Sequence, residues 1–131
     1  YPLIGNYGVP PKTIKDDLLL NYESDKIQVQ ALIVSDYSFE YSHWNAERSL
    51  HDWMIEEKIP GIYGIDTRAL TRKLREKGTM PGWIIPNDVV NESDLNKKIV
   101  DANSTDLVGK VCVKEVVEYK YGKKRVTLVD C

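Results

Sequence analysis

Apolar residues in the first half of the chain repeat with two periods, one typical of strands and one of helices. Every second residue from 27 to 33 is apolar, and Leu32 and Val34 place apolar side chains on the opposite face. Because a strand with two apolar faces is covered on both sides, this pattern predicts a strand over 26–36 inside a sheet.

A helix is predicted over 45–58, where the apolar positions change to a period near 3.6. Asn45 is a residue type favoured at the N-cap, and Pro60 with Gly61 ends the segment. Ile55 lies outside the apolar stripe of this helix. The stripe consists of Ala46, Leu50, Trp53 and Met54.

A second helix is predicted over 68–77. Asp66 or Thr67 is suited to cap its first turn. Gly78 stands where a left-handed residue commonly follows the end of a helix.

The rest of the chain predicts short elements separated by turns, in the overall order β-α-β-α-β-α-β-β. This order predicts a mixed α/β layer structure. The connection between the first two strands is long enough for a right-handed crossover. The remaining predicted elements are a loop over 1–11, a short helical turn over 16–21, strands over 62–65, 79–85, 111–119 and 125–130, a helix over 93–102, and a turn over 121–124.

Length, charge and cysteine content argue against several classes of protein. The chain has 131 residues, the size of one domain, and its net charge of −2 argues against a dedicated nucleic-acid binder. No apolar run approaches the roughly 20 residues of a membrane-spanning helix. Two cysteines are too few for a disulfide framework. Because the sequence begins at Tyr1 without an initiator methionine, we expect it to be a piece of a longer protein.

Neither cysteine lies in a pattern that predicts nucleophilic catalysis. Cys112 alternates with its neighbours in a predicted strand and is interpreted as a buried structural thiol. Cys131 follows an apolar strand, but a nucleophile elbow needs small flanking residues and a following helix. The alternative is a small cysteine hydrolase in which Cys131 or Cys112 acts with His43.

The histidines and the first glycines favour structural roles. His51 follows Glu47 by four residues, so the two side chains are predicted to share a helix face. Together with His43 they are too few for a structural zinc site. The segment 5–8, Gly-Asn-Tyr-Gly, matches neither phosphate-binding glycine motif and predicts a tight turn.

The second predicted helix carries three arginines on one face. Arg68, Arg72 and Arg75 are spaced i, i+4 and i+7, and we call them the arginine strip. Leu70 and Leu74 lie on the opposite face. The strip is interpreted either as a solvated surface or as a contact for a partner or an anionic ligand, since arginine binds carboxylates in a fork geometry.

Five segments carry motifs in a fixed order. The longest, I-D-T-R-x-L-T-x-x-L-R-x-K-G, covers 65–78. The others are Y-P-L-I-G-N-Y-G at 1–8, S-H-W at 42–44, V-K-E at 113–115 and L-V-D-C at 128–131. With these motifs the chain resembles the small, glutamine-hydrolysing subunit of carbamoyl-phosphate synthetase over nearly its whole length.

The resemblance implies the amino-terminal domain of that subunit, a layered mixed-sheet domain of the β/β/α type whose first strands precede Tyr1. It assigns residues 1–124 to this domain and 125–131 to the first strand of the glutaminase domain. The family's nucleophile lies in a later elbow, so Cys131 is not implied to be catalytic. The resemblance implies no catalytic, substrate-binding or metal-binding residue in this chain.

The implied parent is a cytoplasmic ligase that makes carbamoyl phosphate from glutamine, bicarbonate and ATP, for arginine or pyrimidine synthesis. ATP and Mg act in a large synthetase subunit or a fused synthetase region, so no cofactor is expected here. The domain is expected to dock its own class I glutaminase domain onto that synthetase, with no nucleic acid or membrane partner. Arg68, Arg72, Arg75 and Ile55 are the candidate contact residues. The alternative is a stand-alone protein-interaction module without enzymatic activity.

Overall fold

The structure, a computed structural model, describes residues 1–86 and 99–129. The chain divides into two compact units, 1–76 and 77–131. Small parallel and antiparallel sheets combine with helices, which confirms the predicted α/β class. In chain order the elements through the second helix are β1 Leu3–Ile4, β2 Ile14–Lys15, β3 Leu18–Leu19, β4 Leu32–Ile33, β5 Asp36–Tyr37, α1 Leu50–Glu56, β6 Gly61–Ile62 and α2 Thr67–Lys77.

Two parallel strand pairs organise the first unit. β4 pairs with β6, with Leu32 opposite Gly61, and α1 forms the connection between them, as a parallel pair requires. β5 pairs with β1, with Leu3 opposite Asp36. The chain therefore changes its pairing partner between β4 and β5.

The predicted strand over 26–36 is wrong for 26–31, and the change of partner divides its second half into β4 and β5. Ladder hydrogen bonds begin at the Leu32 N–H, which donates to the Pro60 carbonyl at 3.0 Å. Residues 26–31 alternate in polarity but have no neighbouring strand among the described residues. The predicted strand over 62–65 is wrong for 63–65 and shares only Ile62 with β6.

The predicted helical turn over 16–21 is a β-hairpin. β2 and β3 pair antiparallel, with Lys15 opposite Leu18. The two residues between them, Asp16 and Asp17, have φ of 53° and 61°. Positive φ at both central positions is the geometry that the right-handed twist of a two-residue hairpin favours.

α1 begins at Leu50 and not at the predicted Asn45. The Ser49 hydroxyl accepts a hydrogen bond from the Asp52 N–H at 3.0 Å, and the Ser49 N–H donates to the Asp52 carboxylate at 3.2 Å. This capping box fixes the start of the helix. The preceding residues are held in an isolated antiparallel bridge between Val9 and Arg48, which keeps them out of the helix.

A left-handed lysine ends α1. The Lys58 N–H donates to the Ile55 carbonyl at 3.1 Å, and the Ile59 N–H donates to the Met54 carbonyl at 2.8 Å. These two bonds form a Schellman motif in which Lys58, with φ of 57°, takes the position that glycine usually occupies.

We expect Lys58→Gly to stabilise the protein by about 1 kcal/mol, because the left-handed conformation costs an L-residue about that much. Urea unfolding followed by tryptophan fluorescence measures the change. Lys58→Ala removes the charge and keeps the strain, so it serves as the matched control and should leave the stability nearly unchanged. Equal gains from both variants would show that the charge, and not the backbone, is responsible.

The apolar core of the first unit lies between the strands and α1. Val34 is 1 % exposed, and Val9 and Met54 are also buried. Arg48 ties the loop before α1 to the helix, because its backbone bridges Val9 and its guanidinium pairs with the Glu56 carboxylate. The same guanidinium lies 6.0 Å from the centre of the Trp53 ring.

Acid should weaken α1 through two carboxylates. The hydrogen bond from the Ser49 hydroxyl lowers the pKa of Asp52, and the hydrogen bond from Arg48 lowers the pKa of Glu56. Since both pKa values lie below those of the unfolded chain, the contribution is complete above about pH 5, where the unfolded carboxyl groups are also ionised, and is lost as the pH falls through the lowered values. Urea midpoints measured from neutral pH downward should begin to decrease at about pH 5, and less steeply in Ser49→Ala. A midpoint that stays constant to pH 2 would contradict this.

The second unit contains little regular structure within the residues described. Its elements are a 3₁₀ turn, Ala102–Ser104, and α3, Val108–Val111. The strands predicted over 79–85 and 111–119 do not form, and residues 125–129 are not a strand either. The alternating apolar residues there have no neighbouring strand in the described part of the chain with which to form a ladder, and Pro81 has no N–H to donate to one. Most of the helix predicted over 93–102 lies outside the described residues.

Candidate partner interface

α2 carries the arginine strip, and its first turn fixes where the helix begins. An oxygen of the Asp66 carboxylate accepts a hydrogen bond from the Ala69 N–H at 2.9 Å. This bond satisfies one of the free N–H groups at the helix start and makes Asp66, not Thr67, the N-cap. Gly78, with φ of 80°, takes the predicted position after the last turn. The second predicted helix is confirmed.

The three arginines of the strip are all exposed. On the opposite face of α2, Leu70 is half-buried and Leu74 is 38 % exposed. Within residues 1–86 and 99–129, no carboxylate forms an ion pair with the strip. The strip therefore presents three guanidinium groups that this part of the chain does not neutralise.

Ile55, the fourth candidate contact residue, lies on a different surface. It is 61 % exposed on α1 and lines a cavity of about 200 Å³ between α1 and the β4–β6 pair. None of the three strip arginines lines this cavity. The structure thus shows two separate candidate surfaces, a charged one on α2 and an apolar one around Ile55.

An aromatic cluster beside Ile55 was not predicted from the sequence. The rings of Tyr37 and Phe39 meet edge to face at 5.0 Å, and Phe39 meets Tyr63 in the same way at 5.8 Å. Phe39 and Tyr63 are each 62 % exposed. Burial raises the pKa of the Tyr37 hydroxyl. The i, i+2 spacing of Tyr37 and Phe39 was the available sequence signal, but the position of Tyr63 depends on a long-range strand pairing.

Of the alternative catalytic residues, Cys112 and His43 belong to different units of the chain. Cys112 is the half-buried C-cap of α3, so its predicted place within a strand is wrong. His43 lies in the first unit, with its ring 5.4 Å from that of Tyr7. Glu47 precedes α1, which contradicts the predicted shared helix face with His51. Cys131 lies outside the described residues.

The described residues contain neither a metal-binding cluster nor a membrane-spanning helix. Across that part of the chain, no three His, Cys, Asp or Glu side chains come close enough together to hold a metal ion. No helix within it is long and apolar enough to cross a bilayer. The predicted tight turn is confirmed, because the Gly8 N–H donates to the Gly5 carbonyl at 3.1 Å.

Comparison with known proteins decides the family. Residues 1–84 match the sequence model described as carbamoyl-phosphate synthase small chain, CPSase domain. The chain belongs to this family. The resemblance recognised in the motifs is therefore confirmed, and it includes the segment that builds α2 and the arginine strip.

Three relatives show the settings in which this domain occurs. The chain is 48 % identical over its whole length to Multifunctional protein pyr1-3 of Dictyostelium discoideum, of which it spans 6 %. It is 44 % identical over 99 % of its length to the mitochondrial carbamoyl-phosphate synthase [ammonia] of Rattus norvegicus, of which it spans 8 %. It is 42 % identical over 99 % of its length to the arginine-specific small chain of Eremothecium gossypii, of which it spans 33 %. The chain thus corresponds to a third or less of each relative.

Proposed function

We propose that this chain is the docking domain of a glutamine-dependent carbamoyl-phosphate synthase small chain. It contributes no catalytic group and holds the glutaminase domain of its parent against the synthetase. The observation that carries this proposal is the arginine strip, a row of three exposed guanidinium groups that no described carboxylate neutralises. The apolar surface around Ile55 is the second candidate contact.

The proposed parent is a ligase that forms carbamoyl phosphate from glutamine, bicarbonate and ATP, with ATP and Mg bound by the synthetase. Ammonia released by the glutaminase is mostly protonated in water at neutral pH, so enclosed transfer to the synthetase protects its reactivity. The docking domain is proposed to hold the two sites together for that transfer. The presence of relatives with separate small chains and of multifunctional relatives supports both a separate and a fused synthetase as the partner.

The name of the rat relative supports a non-catalytic role. That relative is named for ammonia, yet it matches this domain over 99 % of the chain. Glutamine hydrolysis does not explain why a protein named for ammonia shares this domain. A structural role suits an enzyme that uses ammonia as well as one that uses glutamine. A cytoplasmic location stays a prediction, since the same relative is named mitochondrial.

The test of the non-catalytic role is glutamine turnover by the chain itself. We expect the purified chain to release no ammonia from glutamine above the rate of a variant that carries both Cys112→Ala and Cys131→Ala. Coupled detection of ammonia measures this directly. Turnover that Cys112→Ala or His43→Ala abolishes would support the cysteine hydrolase and would contradict the docking assignment.

A further inference from the structure

We propose that the strip docks onto an acidic face of the synthetase region. The carboxylates of this face form a row about 10 Å long. This inference rests on the proposed function and names the chemistry of the partner surface. Residues spaced i, i+4 and i+7 span about 10 Å along a helix axis and fall within about 60° of its circumference. The three guanidinium groups therefore form one narrow row and not a diffuse patch.

The charge of the strip contrasts with the rest of the chain. α2 carries five basic side chains and one acidic one, a net charge of +4, whereas the whole chain has a net charge of −2. The other 120 residues therefore have a net charge of −6. The basic charge of the chain is thus concentrated on α2, and a negative surface of the size of the row complements it.

The size of the row favours a protein carboxylate surface over a polyanion. A nucleic acid or an anionic membrane presents phosphates well beyond about 10 Å, so most of these phosphates would have no guanidinium partner in the row. Carboxylates on one helix face or one loop cluster are confined to a matching length. Guanidinium groups bind carboxylates through two parallel hydrogen bonds, which adds a geometric requirement to the charge.

The two faces of α2 differ in exposure. Leu70 is half-buried on the side opposite the strip, although no residue of α2 is fully buried. The arginines lie on the outward side and are exposed. Charge complementarity of this kind sets the orientation and the rate of association more than it sets the affinity.

The experiment measures the dissociation constant between the full-length small chain and its synthetase region. Three variants are compared with the wild type at about 50 mM and about 500 mM NaCl, where screening differs strongly. In the triple glutamine variant all three arginines are changed to glutamine, and in the triple lysine variant all three are changed to lysine. Lys73→Gln is the matched control, because it removes one charge from another face of α2. Glutamine and lysine favour helix about as well as arginine does.

We expect the wild type to bind at least about tenfold more weakly at the higher salt concentration. The triple glutamine variant should bind at least about tenfold more weakly at low salt and lose most of its response to salt. The triple lysine variant should keep the salt response and bind more weakly than the wild type, because it loses the fork geometry. Lys73→Gln should match the wild type within about twofold.

Three results would contradict the inference in different ways. Binding that weakens in the glutamine variant without any salt dependence would keep the docking role and overturn the acidic partner surface. Identical binding by all variants at both salt concentrations would remove the strip from the interface, and with it the surface on which the proposed function rests. Strip-dependent binding of the small chain to RNA or anionic vesicles at physiological salt would assign the strip to a polyanion instead.

Discussion

Gly5→Ala should destabilise the protein by about 3 kcal/mol or more, the largest effect that we expect from a single methyl group here. Gly5 has φ of 103°, which an alanine adopts only with strain. A Cβ at this position would lie 2.3 Å from the Ser38 carbonyl oxygen and 3.1 Å from the Tyr37 ring. Both contacts belong to the segment that pairs with β1, so relief of the clash must move that strand pair.

Gly64 provides the matched control for this prediction. Its φ is 79°, but a Cβ there meets no atom within 4 Å. Gly64→Ala should therefore cost only the backbone strain, about 1 kcal/mol. Urea unfolding of both variants separates the clash from the strain. Equal losses of stability at the two positions would mean that the β1–β5 pair moves to relieve the clash without a further loss of stability.

Reversal of the strip should abolish stable assembly of the parent enzyme. We expect the triple change of Arg68, Arg72 and Arg75 to glutamate to weaken association of the full-length small chain with the synthetase at least about 100-fold, or about 2.8 kcal/mol. Opposed carboxylates would then repel one another where ion pairs formed before. Sedimentation velocity at concentrations near the wild-type dissociation constant measures the loss.

The same variant should separate the two activities proposed for the parent. Glutamine-dependent formation of carbamoyl phosphate should fall with assembly, while ammonia-dependent formation by the synthetase should continue. Lys73→Glu reverses one charge on another face of α2 and should leave both activities nearly unchanged. Loss of both activities to the same extent would indicate a folding defect or a catalytic role. In a fused parent, tethering raises the effective concentration, so the two pieces must be measured separately.

Local signals in the sequence were enough to predict α2 and its strip. The helix period, Asp66 before the first turn and Gly78 after the last one all act within a few residues, and the structure follows them. The start of α1 was also encoded locally, because Ser49 and Asp52 have the spacing of a capping box. Asn45 was the predicted N-cap, but the bridge between Val9 and Arg48 keeps the residues before Ser49 out of the helix.

Long-range pairing explains most of what the sequence did not predict. The polarity pattern of 26–36 is continuous, yet β4 and β5 pair with different strands from distant parts of the chain. The aromatic cluster around Phe39 has the same origin, since Tyr63 is brought to it by the β4–β6 pair. The hairpin at Asp16 and Asp17 lacked the glycine that usually marks such a turn.

Hydrogen exchange of α2 tests the central claim most directly. The full-length small chain is labelled free and in complex with the synthetase region, and exchange is followed over residues 67–77. Docking through the strip predicts slower exchange of α2 on assembly, and the triple glutamate variant should lose this protection. Unchanged exchange over α2 in an assembled wild-type complex would contradict the account, because the arginine strip would then face solvent in both states.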